Sequence, residues 1–554
     1  MQGLMSSYPL TLTHVFDRAE RIFPEKRVAT VEAGGIERIT YGEWAARTRR
    51  LAGVLDTLEI SADGRVGTFG WNTARHLELY FAAPCGGRVL HTLNIRLFPD
   101  DITYIANHAE DEVIFVDRSL LKVLWPLVDG FETVKHVVVM DDGGDNEIPD
   151  DPRVLDYENL LADAEAQDFH VDDEGLAASM CYTSGTTGNP KGVVYSHRST
   201  VLHTLGVASL TPLGTPVSEQ DAILPVVPMF HANAWGYPYL ATMLGARLVF
   251  PGPHLDPESL LDAFVDEQVT WTAGVPTIWM GILQLLDANP GRWDLPLKGM
   301  LVGGSAVPRA MIQAYKQRYG LQIVQGWGMT ETSPVASVTD FPGDLRAAED
   351  ETKFDYAAMA GLPLPFVEIR ARAVDDEIAW DGETMGELEV RGPWVAAGYY
   401  DTPEQAERWT DDGWFKTGDI VSMHPRGFIQ IKDRSKDVIK SGGEWISSVE
   451  LENALMAHPA VAEAAVIAIP DAKWDERPLA AVVLREGQTA SADELRAFLA
   501  PSFAKWWLPE RIEFVDEIPK TSVGKFRKVD LRERFAREAP PIEAPAAAPV
   551  EAGA

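Results

Sequence analysis

Short apolar segments alternate with amphipathic stretches over the first two-thirds of this chain. The predicted strands are residues 65–70, 112–116, 134–140, 247–250 and 269–273, and helical patterns cover residues 73–83 and 257–268. Strands separated by helical stretches of roughly ten to fifteen residues are typical of βαβ units, which form parallel sheets. The alternation therefore predicts an α/β fold with a largely parallel sheet arrangement in a large N-terminal domain.

The pattern changes after about residue 355. Residues 386–390 and 427–431 read as strands of a small β unit with tight turns. From residue 437 to 538, helical and strand-like runs together predict a small α+β domain of ordinary size. Residues 539–554 are almost entirely Pro, Ala and Glu, a composition that predicts a disordered tail.

The charge balance limits the classes of partner. The 554 residues include 49 basic and 83 acidic side chains, a net charge of −34. Such a surface repels nucleic acid and anionic membranes, so neither is an expected partner. A saline habitat and an ordinary acidic cytosolic protein both explain the charge, and activity measured against salt concentration would separate them. Any polyphosphate ligand would need a local basic pocket.

Location and membrane contact are predicted from three further features. The N-terminus lacks a basic segment followed by an apolar core, so no secretory signal is expected. Two cysteines, Cys85 and Cys181, suit a reducing cytosol. The most apolar long window, residues 222–244, is interrupted by three prolines and polar residues and is a poor membrane span. We expect a cytoplasmic protein without integral membrane contact.

A glycine- and hydroxyl-rich loop at residues 182–192 is the strongest chemical signal. It follows an apolar strand-like run, and its glycines allow backbone N–H groups to turn around an anion while lysine adds a mobile charge. It is not a Walker loop, because Lys191 is followed by Gly192 rather than by Ser or Thr. The predicted phosphate-binding residues are Thr183, Ser184, Gly185, Thr186, Thr187, Gly188 and Lys191. A polar surface linker is the simpler alternative.

A second segment, residues 325–332, follows a predicted strand at residues 321–324. Trp327 is flanked by glycines, which would leave one face of its ring open to a flat heterocycle, although a buried Trp in a tight turn is the simpler reading. Glu331 beside a phosphate site would be a natural magnesium ligand.

Two further segments complete the set. Asp419 can accept hydrogen bonds from a ribose diol, and Arg434 can donate to the same ribose or to phosphate. Residues 519–525 form a late basic loop that ends in Lys525. Taken singly, these are ordinary surface residues.

In this order, the four segments resemble the AMP-forming acyl-CoA synthetases, also called the adenylate-forming superfamily. The resemblance covers about residues 8–538 and includes connecting signatures at residues 386–388, 391–393 and 398–400. It implies an N-terminal adenylation domain at residues 1–432, with its β subdomain at about 356–432. A hinge at residues 433–436 and a mobile C-terminal domain at 437–538 would follow.

The resemblance also implies the reaction. ATP and a carboxylate would give acyl-AMP and pyrophosphate, and the thiol of coenzyme A would then give acyl-CoA and AMP. The substrates would be ATP, a small-molecule carboxylic acid and coenzyme A, with Mg²⁺ as the metal. A homodimer is the oligomeric state expected. A carrier-protein adenylating enzyme, a luciferase-like oxygenase and a non-catalytic binding protein are the competing classes.

The resemblance assigns roles residue by residue. Lys525 would bridge the carboxylate and the α-phosphate, Glu331 with Thr183 would hold Mg²⁺, and Lys436 would be the hinge residue. The implied ATP-binding set adds Gly304, Ser305, Gln325, Gly326, Trp327, Gly328, Met329, Thr330, Asp419 and Arg434 to the loop residues. The implied coenzyme A segment is Lys440, Ser441, Gly442, Gly443, Glu444 and Trp445.

The acyl pocket is implied by two segments. His231 would lie next to the reacting carboxylate, Trp235 would gate an acyl tunnel, and Val302 and Gly303 would line it. Within the family the chain looks most like fatty acyl-CoA ligases. A short- to medium-chain acid is expected, with 3-methylmercaptopropionate as the specific acid, and a longer-chain fatty acid is the alternative.

Overall fold

The computed structural model describes residues 1–183, 189–210, 216–373, 376–441, 444–471, 473–520 and 526–538. The chain divides into two compact units. The first comprises Met1–Thr417 and Ser422–Gln430, and the second comprises Gly418–Val421 with the described residues from Ile431 onward.

The strands are numbered in chain order. They are β1 (Arg27–Glu32), β2 (Gly35–Thr40), β3 (Arg65–Phe69), β4 (Val89–Thr92), β5 (Asp111–Asp117), β6 (His136–Met140), β7 (Val154–Asp156), β8 (Ala177–Tyr182), β9 (Gly192–Ser196), β10 (Ala222–Pro225), β11 (Arg247–Phe250), β12 (Trp271–Gly274), β13 (Gly299–Val302), β14 (Ile323–Gly328), β15 (Val335–Val338), β16 (Leu362–Pro363), β17 (Glu368–Ala373), β18 (Asp376–Glu377), β19 (Met385–Arg391), β20 (Phe415–Met423), β21 (Ile429–Arg434), β22 (Ile439–Ser441), β23 (Glu444–Ile446), β24 (Val461–Asp471), β25 (Asp475–Leu484) and β26 (Arg511–Phe514).

The helices are numbered in the same way. They are α1 (Leu12–Ile22), α2 (Tyr41–Thr57), α3 (Ala74–Cys85), α4 (Pro99–Ala109), α5 (Leu121–Leu124), α6 (Tyr157–Asp163), α7 (His197–Ala208), α8 (Tyr237–Leu244), α9 (Pro257–Asp266), α10 (Pro276–Ala288), α11 (Arg309–Tyr319), α12 (Gly343–Arg346), α13 (Asp350–Ala357), α14 (Ser448–Met456), α15 (Ala492–Leu499) and α16 (Lys528–Glu538).

The largest sheet has the strand order β16-β15-β14-β13-β12-β10-β11-β1-β2. Its central strands, from β1 and β11 through β10, β12 and β13 to β14, pair in parallel. Side chains of α9, α10 and α11 cover this sheet with a buried apolar core that includes Phe264, Trp279 and Tyr315. Because parallel strands end at the same edge, the segments after β12, β13 and β14 emerge close together.

A second sheet has the order β7-β6-β5-β3-β4-β8-β9. It is parallel from β7 to β8, and only its last described pair, β8 with β9, is antiparallel. The β8 strand is almost wholly buried. The hairpin formed by β8 and β9 carries the predicted phosphate loop at its turn.

Two smaller sheets complete the described chain. One of them has the strand order β18-β17-β19-β20-β21. In the second unit β22, β23, β24 and β25 pair antiparallel and β26 joins β25 in parallel, with α14 and α15 packed on the sheet through Leu451, Leu455 and Leu495. The predicted α/β fold with a small α+β domain is confirmed. Within the described ranges no helix is both long enough and apolar enough to cross a bilayer.

Candidate active site

The base of the phosphate loop is closed by two hydrogen bonds. Thr183 N–H donates to the Lys191 carbonyl at 3.0 Å, and Lys191 N–H donates to the Thr183 hydroxyl oxygen at 3.1 Å. Tyr182 and Gly192 face each other across the hairpin just below these bonds. Thr183 and Lys191 are therefore fixed at the two ends of the loop. Ser184, Gly185, Thr186, Thr187 and Gly188 lie outside the described residues.

Lys191 and Glu331 both contact one tyrosine. The Lys191 ammonium lies 5.5 Å from the centre of the Tyr399 ring, and the Tyr399 hydroxyl donates to Glu331 Oε1 at 2.6 Å. Glu331 is buried, with 5% of its surface exposed. Burial, followed by the adjacent carboxylate, raises the pKa of Tyr399 well above its ordinary value, so the phenol keeps its proton and is the donor. The structure thus brings together two residues predicted 140 positions apart.

The segment around Tyr399 is bonded to both predicted motifs. Tyr400 N–H donates to the Gly192 carbonyl, and Ala396 N–H donates to the Glu331 carbonyl, each at 2.8 Å. The sequence marked residues 398–400 only as a connecting signature. Its contact with Glu331 spans 68 residues, so no local pattern in the sequence could have revealed it.

The second predicted motif is a strand that ends in a short helical turn. β14 continues through Gly328, whereas the sequence placed the end of the strand before Gln325. Trp327 is only 8% exposed, so its indole is largely buried. Gly328 has no space for a side chain, because a methyl carbon there would lie 1.9 Å from the Pro334 carbonyl oxygen. Met329 and Thr330 follow, and the Thr330 carbonyl accepts from the Tyr195 hydroxyl at 2.7 Å.

Trp235 lies against the glycines that follow β13. A methyl carbon on Gly303 would be 3.2 Å from Trp235 Cη2 and 2.7 Å from the Gly326 carbonyl oxygen. Gly304 adopts a φ of +84°, which favours glycine, and its Cβ position lies 3.9 Å from Trp235 Cζ2. Val302, at the end of β13, is fully buried, while Ser305 is exposed. Two residues of the predicted adenylate and acyl pocket, Gly303 and Gly304, therefore lie against this indole.

The segment that carries Trp235 has an unusual backbone. Residues 232–235 have φ values of 42°, 52°, 49° and 55°, and none of them is glycine. Left-handed conformation costs about 1–2 kcal/mol for each such residue, so the turn must be held by its surroundings. Asn233 is buried, donates to the Ser179 hydroxyl at 2.9 Å and accepts from Cys181 Sγ at 3.2 Å. These bonds attach the turn to β8, next to the phosphate hairpin, and half-buried His231 comes just before it.

The second unit contains the predicted ribose and hinge residues. Arg434 Nε lies 2.9 Å from Asp419 Oδ1, and the Asp419 side chain is almost fully buried. Ser435 N–H donates to the Gly418 carbonyl at 2.8 Å, so the two segments are joined by backbone as well as by charge. Lys436 follows and is exposed, and its carbonyl accepts from Arg532 at 3.3 Å.

The predicted coenzyme A segment forms β22 and β23, with Ser441 opposite Glu444 and Lys440 opposite Trp445. Ser441 is buried and its hydroxyl accepts from Arg477 at 3.1 Å, whereas Lys440 is exposed. Gly442, Gly443 and Lys525 lie outside the described residues, as does the predicted tail at 539–554. The residues flanking the Lys525 loop are close together, since Lys520 pairs with Phe526 and Arg527 N–H donates to the Pro519 carbonyl at 2.7 Å.

The donor set at Glu331 fits a magnesium ion held jointly with phosphate. Magnesium is commonly bound by one or two carboxylates plus phosphate oxygens and water, rather than by an all-protein cage. Glu331 supplies one buried carboxylate beside the lysine of the phosphate loop, and Thr183 supplies a hydroxyl at the base of that loop. Over the ranges that the structure describes, no cluster of three or more His, Cys, Asp or Glu side chains could hold a metal alone.

Comparison with known families assigns the chain. Residues 16–400 match the family model described as AMP-binding enzyme, and residues 450–525 match its C-terminal domain. The chain belongs to the AMP-binding enzyme family. The loop, β14 and residues 398–400 all fall inside the first match, and the Lys525 loop falls at the end of the second.

Curated relatives match this chain over nearly its whole length. A long-chain-fatty-acid–CoA ligase of Thermus thermophilus is 48% identical, covering 96% of each chain. A 3-methylmercaptopropionyl-CoA ligase of Ruegeria lacuscaerulensis is 42% identical over 97% of this chain and 99% of the relative. A medium-chain-fatty-acid–CoA ligase of Ectopseudomonas oleovorans is 41% identical over 97% and 98%. The predicted class, an AMP-forming acyl-CoA ligase, is confirmed.

Solved structures share the fold. ATP-bound MatB from Rhodopseudomonas palustris superposes with a TM-score of 0.81 at 26% identity, covering 95% of this chain and 99% of that one. The anthranilate CoA ligase AuaEII in complex with anthranoyl-AMP has a TM-score of 0.84 at 24% identity, covering 97% and 99%.

Proposed function

We propose that this protein converts an aliphatic carboxylic acid, ATP and coenzyme A into acyl-CoA, AMP and pyrophosphate. The observation that carries the proposal is the joining of Lys191 and Glu331 through Tyr399 beside the phosphate hairpin. One cation and one metal-binding carboxylate beside a donor-rich loop suit a triphosphate. The three curated relatives named above act on aliphatic acids of different lengths, which supports this acid class.

The chemistry has two steps. A carboxylate oxygen attacks the α-phosphorus of ATP, the bond to the bridging oxygen breaks, and pyrophosphate leaves. The thiolate sulfur of coenzyme A then attacks the acyl carbon and AMP leaves. The first step brings two anions together, so neutralisation of charge dominates its catalysis.

The residues divide this work between them. In the first step the loop and Lys191 bind the departing pyrophosphate, and Lys525 bridges the carboxylate and α-phosphate oxygens. Glu331 and Thr183 would hold Mg²⁺, which neutralises phosphate charge when bound. Asp419 and Arg434 bind the ribose.

Lys525 serves adenylation alone, so we propose that residues 437–538 rotate about Lys436 before the thiol attacks. The segment at residues 440–445 then receives the pantetheine arm. The division into residues 1–432, 433–436 and 437–538 belongs to this proposal.

The acid is proposed to be short- to medium-chain, with 3-methylmercaptopropionate as the specific member. Trp235 lies against Gly303 and Gly304, and a large indole in that place leaves little depth for a long acyl chain. If the indole turns away, longer fatty acids enter by the same route.

AMP release across acids from acetate to palmitate, including 3-methylmercaptopropionate, tests the function. We expect acid-dependent AMP release that rises with coenzyme A. Adenylate that accumulates with no response to coenzyme A would favour a carrier-protein enzyme, and oxygen consumption or light would favour a luciferase-like one. No acid-dependent AMP release would overturn the proposal.

A cytoplasmic location and a homodimer complete the proposal. The two cysteines are buried and unpaired, which suits a reducing compartment. Light scattering after size-exclusion chromatography tests the dimer, for which a mass of 61.0 kDa would be the contradicting result.

A further inference from the structure

We propose that Tyr399 is a positioning residue that sets the affinity of this site for magnesium-bound ATP. The proposal rests on the proposed function of Glu331 and Lys191. The Tyr399 hydroxyl binds Glu331 Oε1 at 2.6 Å, while its ring faces the Lys191 ammonium at 5.5 Å. One side chain therefore contacts both charged groups that would meet the phosphates.

The tyrosine is itself held firmly. The rings of Trp409 and Tyr399 pack in a T-shaped arrangement with their centroids 5.2 Å apart, and Trp409 Nε1 donates to the Ala396 carbonyl at 2.7 Å. Ala396 in turn donates its N–H to the Glu331 carbonyl. Glu331 is thus held by two hydrogen bonds, one from Ala396 to its backbone carbonyl and one from Tyr399 to its carboxylate.

The hydrogen bond from the Tyr399 hydroxyl to Glu331 affects metal binding because it orients the carboxylate. A hydrogen bond to one oxygen of a buried carboxylate holds that group in a fixed orientation. The lone pairs that remain free then point in a defined direction, in which a metal ion can be bound. Hydrogen-bond partners of metal-binding side chains commonly change metal affinity or activity by roughly 10–100-fold when removed. The ring contributes separately, because an aromatic face stabilises a nearby ammonium without neutralising it, and Lys191 keeps its charge for phosphate.

Two substitutions separate the hydroxyl from the ring. Tyr399→Phe removes the hydrogen bond to Glu331 and keeps the ring that faces Lys191. Tyr399→Leu removes both. Tyr319→Phe is the matched control, because it removes a tyrosine–carboxylate hydrogen bond of the same length, 2.6 Å, from Tyr319 of α11 to Asp287 of α10.

Binding of ATP without acid, measured by calorimetry with Mg²⁺ and with EDTA, gives a readout that needs no turnover. For Tyr399→Phe we expect the dissociation constant of MgATP to rise at least about tenfold. The constant for metal-free ATP should stay within about twofold. Tyr399→Leu should weaken the binding of both forms, and Tyr319→Phe should change neither.

The outcomes distinguish this inference from the proposed function. A wild-type protein whose ATP binding is not strengthened by Mg²⁺ would contradict the magnesium role of Glu331 itself. Suppose instead that Mg²⁺ strengthens ATP binding by the wild type. If Tyr399→Phe then has an unchanged affinity for MgATP, or loses equal affinity for MgATP and for metal-free ATP, the proposed role of the Tyr399 hydroxyl is overturned and the proposed function is not.

Melting temperature is measured on each variant as a check of folding. If Tyr399→Phe does not fold, Tyr399→His retains a ring with a donor and takes its place. It is then expected to bind MgATP more tightly than Tyr399→Leu does, and equal affinities for these two variants would overturn the inference.

Discussion

Replacing Trp235 with alanine should shift the acid preference toward longer chains. The indole is 9% exposed and lies against Gly303 and Gly304, so its removal opens space beside the end of β13. The turn should persist, because Asn233 rather than Trp235 bonds it to β8. Each additional buried CH₂ group is worth about 0.8 kcal/mol, which is close to fourfold in kcat/KM. Two added CH₂ groups should therefore raise kcat/KM by more than about tenfold relative to the wild type.

The assay is kcat/KM for AMP release over saturated acids of increasing length, for the wild type and Trp235→Ala. Loss of a buried indole costs up to about 3–5 kcal/mol of stability, so the melting temperature is recorded in parallel. Trp380→Ala, which removes an indole that is 42% exposed, is the control and should leave the length profile unchanged. A folded Trp235→Ala variant with the same length profile as the wild type would refute the reasoning.

Three other predictions concern groups away from the acyl pocket. Lys525→Ala should slow adenylation by about two decades or more yet spare thioester formation from preformed acyl-AMP, and equal losses in a two-step assay would contradict the proposed rotation. Lys528→Met leaves Glu452 buried without its ion-pair partner, which lies at 2.6 Å, and should lower the free energy of unfolding measured in urea by about 3–5 kcal/mol. The control Lys520→Met breaks the more exposed ion pair with Glu463 and should lower it by about 1 kcal/mol or less. Similar losses for the two variants would refute this prediction. Burial, followed by a neighbouring carboxylate, raises the pKa of Asp117 from 3.8 to about 8. Between these two pH values Asp117 is protonated in the folded state and ionised in the unfolded state, so the free energy of unfolding should fall as the pH rises through this range. Asp117→Asn should remove that fall, and parallel pH profiles for the two proteins would count against it.

Much of the fold was predictable because local patterns and tertiary structure agree. The predicted strand at residues 247–250 has the bounds of β11, and the predicted helix at 257–268 contains α9. β14 shows where they disagree. Glycines around Trp327 indicate a turn, but antiparallel pairing with β15 holds Trp327 opposite Ser337 and keeps the segment extended.

The site was predictable as a set of motifs and not as an arrangement. Glycines and hydroxyl side chains identify the phosphate loop in the sequence, because the residues that would bind phosphate are all within the loop itself. The left-handed turn at residues 232–235 contains no glycine, so nothing in its sequence indicates its backbone; bonds from Asn233 to β8 hold it. Tyr399 has a role only through residues 68 and 208 positions away, and such contacts exist only in the folded chain.

Exchange of labelled pyrophosphate into ATP, without coenzyme A, tests the central claim most directly. If the site forms acyl-AMP reversibly at the Lys191 loop, label should enter ATP only when an acid substrate is present. Lys191→Ala should reduce that exchange by about two decades. Acid-independent exchange, or AMP formation that requires coenzyme A from the start, would contradict an adenylate intermediate.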